Sequence, residues 1–384
     1  MSKNINSTIF TPVLIGGSLI LLISFAIRST FGLFQIPIAE QFMWARSEFS
    51  MAIAIQNLAW GIGTPIFSAF AEKFGDRKAI TLGLILYAVG VFISSTASSP
   101  EKRSLALGIT TAAGSAGQVV GPPFAAGLLD IMPWSSVFVV FAIISILTIV
   151  LVPLLKSEPK ISKKEVGSNL SDALKDAFKD PTYTMLFLGF FSCGFQLAFI
   201  TAHFPAFIAE ASSPIIQGSL ISIVCNSVAS LGALSIALIG LFNIIGSIAA
   251  GAMGKYYTKK YLLSIIYAGR TIAAIAFIML PITPTSVVVF SIVMGSLWLA
   301  TVPLTSGIIG YIYGLKFMGT LYGIVFLSHQ IGSFVGVWLG GLFYDIYGSY
   351  DIVWWVGIGV GAFSAIITLP VKEKPLAERK LVTA

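Results

Sequence analysis

Eleven apolar stretches, separated by short charged loops, constrain this chain more than any other feature. They fall at roughly 12–40, 50–71, 80–98, 104–130, 135–155, 183–209, 232–254, 261–281, 285–312, 318–344 and 350–371. Each is near or above the ~20 residues a helix needs to cross a bilayer. A barrel strand needs only ~10 alternating residues, so these runs exclude a barrel. The expected fold is an all-α polytopic membrane protein. Charged residues make up 10% of the chain, against about 25% in a soluble domain. The net charge of +7 sits in loops between the runs. It therefore reads as a positive-inside signal and not as a nucleic-acid surface. The start, MSKNINSTIF, enters an apolar run without a cleavage site and reads as a retained first helix. Cys193 and Cys225 are too few for a disulfide framework.

The chain repeats itself. Gly108, Gly117, Gly121 and Asp130 recur as Gly323, Gly332, Gly336 and Asp345 at a spacing of 215. Such a repeat divides a membrane protein into related halves. The expected domains are an N-terminal half, 1–155, a cytoplasmic linker, 156–182, and a C-terminal half, 183–384. Within the linker, Leu170, Ala173, Leu174 and Phe178 keep helical spacing and predict a short surface helix. A second repeat disagrees with the first. Glu72, Phe74 and Arg77 align with Lys255, Tyr257 and Lys260 at a spacing of 183. The first half therefore lacks about one helix and loop, the counterpart of 285–312, and holds five spans against six. Phe207–Glu210 (FIAE) also echoes Pro37–Glu40 (PIAE) at 170, leaving extra residues around 212–231.

Ser68–Lys78 (SAFAEKFGDRK) resembles the GxxxDRxGRR loop of the major facilitator superfamily. Glu72 stands for its acid, Lys73 and Arg77 for its basic positions, and Gly75 is kept. Gly117–Pro122 resembles the fifth-helix GxxxGP signature of antiporters, with Ala125 and Ala126 in place of the usual glycines. Phe191–Phe207 resembles the seventh helix of the monocarboxylate and oxalate–formate porter-like branch. The resemblance implies two six-helix halves around a central cavity, with alternating access. It implies a secondary transporter of a small organic anion, by exchange or with proton coupling, in the bacterial inner membrane with both termini cytoplasmic. The missing fourth helix would line that cavity. Charges place 73–78, 102–103, 156–164, 255–260, 316 and 372–380 on one side of the membrane. A single helix over 79–98 contradicts that placement for Lys102 and Arg103. A viable eleven-helix variant and an internally shortened, transport-impaired homologue both remain open.

Ionisable groups at membrane depth mark function by default. No acid reaches mid-span, whereas Arg28, Arg270, His203 and His329 do. Buried cations without a buried acid suit an anion, and a guanidinium grips a carboxylate with two parallel bonds. Arg28 reads either as a substrate ligand or as a structural donor. Arg270, in the ninth-helix slot that the family places at the periphery, reads as a charge that braces other helices. Gln196 and His203 are seven residues apart and share a helix face. His203 is either a proton carrier or a neutral packing donor. His329 and Gln330 replace the small pair Gly114 and Ser115 of the repeat and read as cavity contacts. Gln56, Asn57, Gln118 and Trp298 are further candidate lining. Glu72, Lys73, Gly75, Arg77, Lys255 and Lys260 form an expected gating loop.

No P-loop occurs, and Gly357–Gly361 mimics a dinucleotide fingerprint inside an apolar span. The spans hold no acid pair, metal cluster or nucleophile–base set. No enzyme, cofactor or metal is expected, and no nucleic-acid partner. The expected partners are an organic anion, the lipid bilayer, and a proton or counter-anion.

Overall fold

The computed structural model describes residues 12–74, 78, 80–85, 117–154, 170–225, 227–314 and 317–383. No strand occurs among them. The early helices are α1 (Pro12–Ser29), α2 (Gln35–Phe42), α3 (Arg46–Phe74), α4 (Gly117–Leu129) and α5 (Trp134–Leu147). The late helices are α6 (Leu170–Lys179), α7 (Pro181–Ala211), α8 (Val228–Met253), α9 (Lys259–Met279), α10 (Pro284–Leu297), α11 (Thr301–Tyr313), α12 (Met318–Tyr347), α13 (Asp351–Ile367) and α14 (Leu376–Thr383). Seven helical stretches among the described residues are long and apolar enough to cross a membrane. The chain is an all-α polytopic membrane protein. Residues 86–116 are not described, and the charge conflict at 79–103 falls largely there.

Local chemistry sets the boundaries. Asp180 caps α7 by accepting the Thr182 N–H at 3.0 Å, and Pro181 occupies the first helical position, where its missing donor costs nothing. Reciprocal capping boxes, Ser227 with Ser230 and Thr283 with Ser286, start α8 and α10. Gly348, at φ 67°, ends α12 in the left-handed conformation. The apolar run 285–312 is broken at Trp298–Ala300. Pro303 has no N–H, and its ring crowds the carbonyl of Leu299 four residues back, so the helix cannot run through. The linker helix forms at Leu170–Lys179, where the spacing predicts one.

The late helices share one large core, in which α8 packs on α10 and α9 on α13. A second core joins Phe31, Phe34 and Phe138 of the early part to Ala198, Ala202 and Val337 of the late part. Contact between the two parts runs along the antiparallel pair α3 and α12 and along α4 and α8. The α3–α12 seam is tight throughout. A Cβ on Gly341 would meet Ser47 and Ser50, one on Gly61 would meet Gln330, and one on Gly323 would meet Pro65. α12 also presents glycines to α7. A Cβ on Gly332 or Gly336 would strike the Phe191 or Phe195 carbonyl, and one on Gly194 would strike the carbonyl of His329.

Candidate functional site

The first helix and α3 place Arg28 and Asn57 side by side. Arg28 Nη2 donates to Asn57 Oδ1 at 2.6 Å, and Asn57 Nδ2 donates back to the Ile53 carbonyl. The guanidinium lies 4.3 Å from the Trp60 ring centroid, a cation–π distance. A small cavity, with room for about one water, lies beside it, lined by Arg28, Gln56, Asn57, Phe31 and Ile53 from the early helices and Thr201 from α7. Gln56 is buried, and its Nε2 has no partner among the described residues. This cavity therefore offers one guanidinium, one amide donor and apolar walls, at the contact of the two parts.

The other anticipated residues spread over the structure. Gln196 turns into the late helices, where Nε2 donates to the Gly357 carbonyl at 2.8 Å. It lines a second small cavity with Phe199, Met294 and Trp354. His203 faces the early helices instead. Its Nε2 is 2.9 Å from the Val337 carbonyl, so that nitrogen carries the hydrogen. Nδ1 then accepts from Gln35 Nε2 at 3.3 Å, which satisfies both ring nitrogens in a neutral imidazole. His329 is buried and stacks on Phe326, with ring centroids 5.0 Å apart. Gln330 is buried against Gly61. Trp298 is buried at the break between α10 and α11. Arg270 is fully buried, and its Nη1 reaches the Trp298 carbonyl.

Of the expected gating loop, Glu72 and Lys73 lie in α3 with their side chains outside the description, as does that of Gln118 in α4. Gly75 and Arg77 are not described. Lys255 is exposed. Lys260 Nζ donates to the Leu369 carbonyl at 3.0 Å, a bond within the late helices.

Besides the Gln35–His203 bond, a cluster of polar bonds crosses between the two parts at the start of α3. There Arg46 pairs with Glu210, donates to the Tyr350 hydroxyl at 2.8 Å and lies 3.7 Å from the Tyr344 ring centroid. Asp345 accepts the N–H groups of Arg46 and Ser47 at 3.0 and 2.9 Å, capping α3 with a carboxylate from α12. Sequence reasoning passed over Arg46 and Glu210 as functional residues. The available signals were Asp345, already in the glycine repeat, and Glu210, at the end of the FIAE echo.

At the opposite end Asp180 is buried. It accepts Arg379 at 2.6 Å and the Tyr313 hydroxyl at 2.7 Å. Burial pushes its carboxyl up, but the bonds from Arg379, Tyr313 and the Thr182 N–H outweigh this and hold it below the usual value. These partners all belong to the late helices.

A family profile described as Major Facilitator Superfamily matches residues 17–100 and 91–328. The chain is 27% identical to the uncharacterized MFS-type transporter YcxA of Bacillus subtilis (strain 168), over 91% of this chain and 92% of that protein. That alignment spans 397 residues, more than this chain's 384, so the relative carries residues that this chain lacks. It is 20% identical to monocarboxylate transporter 13 of Rattus norvegicus, over 90% of this chain and 85% of that one. The crystal structure of a point mutant of the nucleoside transporter NupG superposes with a TM-score of 0.67 at 12% identity, covering 92% of this chain and 98% of that chain. The profile covers well over half of the sequence, and the chain belongs to the Major Facilitator Superfamily of membrane transporters.

Proposed function

We propose that this transporter carries a small organic anion, a monocarboxylate or dicarboxylate, by alternating access. Arg28 carries the reading. Its guanidinium borders a cavity between the two parts, among neutral amides. Asp180 is the only buried acid among the described residues, and Arg379 occupies it away from that cavity. A guanidinium beside a cavity is shaped to grip a carboxylate with two parallel bonds, which favours an anionic substrate. The likeness to a monocarboxylate transporter points the same way. Exchange with a counter-anion fits the antiporter-like Gly117–Pro122, and proton coupling is the alternative. His329 and Gln330 stay as candidate lining, whereas His203 is better read as a cross-contact that forms when the Arg46 end closes.

The reading divides the chain into halves at 1–155 and 183–384. It places the lysine-rich end, with both termini, in the cytoplasm of a bacterial inner (plasma) membrane. The Arg46 cluster then closes the outer face, and the loop at 72–77 serves the inner one.

Uptake of labelled carboxylates into proteoliposomes is the test. The wild type accumulates at least one of them, and Arg28→Lys, which keeps the charge but loses the fork, lowers that uptake at least ~10-fold at normal expression. No uptake of any carboxylate by folded protein rejects the reading, and uptake unchanged in Arg28→Lys removes Arg28 from the site.

A further inference from the structure

The ninth-helix slot holds a charge with no acidic partner among the described residues. Arg270 lies eleven positions into α9, about 16 Å along the helix at 1.5 Å per residue. Its relative exposure is 0%. Nη1 donates over a long 3.4 Å to the Trp298 carbonyl and at 3.5 Å to Cys193 Sγ, a weak acceptor. The guanidinium carbon is 5.1 Å from the Tyr267 ring centroid. Nε and Nη2 have no partner among the described residues. Those two N–H groups form the parallel edge that matches the two oxygens of a carboxylate. Leaving both unmet at membrane depth is costly. A structural brace uses the donors it has, and this one leaves its carboxylate-binding edge unused.

A second observation meets it at the same place. α11 begins at Thr301, within the apolar run, so its N-terminus brings a positive dipole end into the interior. Thr301 is buried, with Oγ1 3.3 Å from the same Cys193 Sγ that Arg270 touches. Asn243 Oδ1 accepts the Leu299 N–H at 2.9 Å and pins the break from the side of α8. The Nη1 side of Arg270, the start of the half-helix and the Thr301 hydroxyl therefore meet around Trp298 and Cys193, and the Nε–Nη2 edge of the same guanidinium is left unmet beside them.

We propose that the Nε–Nη2 edge of Arg270, with the start of α11, is a carboxylate-binding subsite within the late helices, separate from the Arg28 cavity. It deepens the organic-anion reading and rests on it. The α10–α11 joint is its entrance, because the helical ladder is already interrupted there and can open without breaking a continuous helix. A transporter built this way holds two carboxylate groups at once, one at each guanidinium.

The test is calorimetric titration of propionate into the purified full-length chain in nanodiscs. Wild type binds two propionates per chain, while Arg270→Lys and Arg28→Lys each bind one. A wild-type stoichiometry of one, or two retained in Arg270→Lys, overturns the subsite. A lower melting temperature with unchanged stoichiometry makes Arg270 a brace only and also overturns it. If neither Arg270→Lys nor Arg270→Gln folds, hydrogen exchange on the wild type decides. Propionate should slow exchange at 298–303 several-fold, and unchanged exchange there rejects the proposal. Two propionates bound without any carboxylate uptake removes the transport reading and leaves the subsite standing.

Discussion

The two ends of the helical bundle are fastened in different ways. At the Arg46 end the polar bonds run between the early and late helices: Arg46 to Glu210 and Tyr350, and Asp345 to the first N–H groups of α3. At the Asp180 end they stay among the late helices, tying α7, α11 and α14 through Asp180, and α9 to the segment after α13 through Glu373. Between the ends, α3 and α12 touch through small residues such as Gly61, Gly323 and Gly341. The difference assigns two jobs. At one end a half-buried Arg46 holds the two parts together through exposed carboxylates, Glu210 and Asp345, whose pairs water can replace at small cost. At the other, a buried carboxylate, Asp180, paired with a half-buried Arg379 ties the late helices into a single body.

Four changes would break or sharpen that contrast. Arg379→Ala strands the buried Asp180 carboxylate, and a loss of about 3 kcal/mol is expected. Thermal unfolding should report it, with hydrogen exchange accelerated at the starts of α7 and α14 and uptake retained. Lost uptake would mean that the strap also takes part in gating. Gly341→Ala places a Cβ 2.7 Å from Ser47 Cα and Ser50 Cβ, for about 1–3 kcal/mol of overpacking. Gly359→Ala, with nothing within 4 Å, is the control that should leave the melting temperature unchanged.

Arg46→Gln weakens only the crossing cluster, by about 1 kcal/mol, or roughly fivefold in population. Thiol labelling of Ser50→Cys should rise by that factor in Arg46→Gln and stay flat in Arg379→Ala. Equal labelling in the two backgrounds would erase the distinction between the ends. The smallest effect is that of pH. The Asp180 carboxyl is held below its usual 3.8, so the strap's contribution is fully present above that value and is lost as pH falls through the lowered one. Protection of α14 against hydrogen exchange should persist at pH 5 and decline only under about 3.8. Loss at pH 5 would show that the charge pair does not hold the strap.

Most of the late architecture was legible from length and apolarity. The runs at 183–209, 232–254 and 261–281 match α7, α8 and α9 within a few residues. The break at Trp298 was not, because the run is apolar on both sides and a lone Pro303 is common in membrane helices. Arg28 and Asn57 were legible as candidate residues, since polar groups at span centres stand out. Their bond to each other was not, because 29 residues separate them. Gln196 and His203 share a face of α7 yet meet different neighbours. α13 receives Gln196 through the Gly357 carbonyl, while α12 and the early helices receive His203. A helix face read from spacing cannot say which helix lies opposite at each level. Arg46 and Glu210 resembled ordinary loop charges, because pairing over 164 residues leaves no local pattern.

The glycine contacts of α12 have a thermodynamic consequence. Gly194, Gly332 and Gly336 set main chain against main chain between α7 and α12, where no side chain has rotamers to surrender. Association there costs little conformational entropy, and the contact has no side-chain freedom to regain on warming. Close backbone approach of this kind is how helices adhere in lipid, where apolar side chains gain nothing by leaving the acyl chains. α7 and α12 are therefore a preformed two-helix lever, and any motion that carries the Asp345 end of α12 away from Arg46 carries His203 and Thr201, beside the cavity, with it.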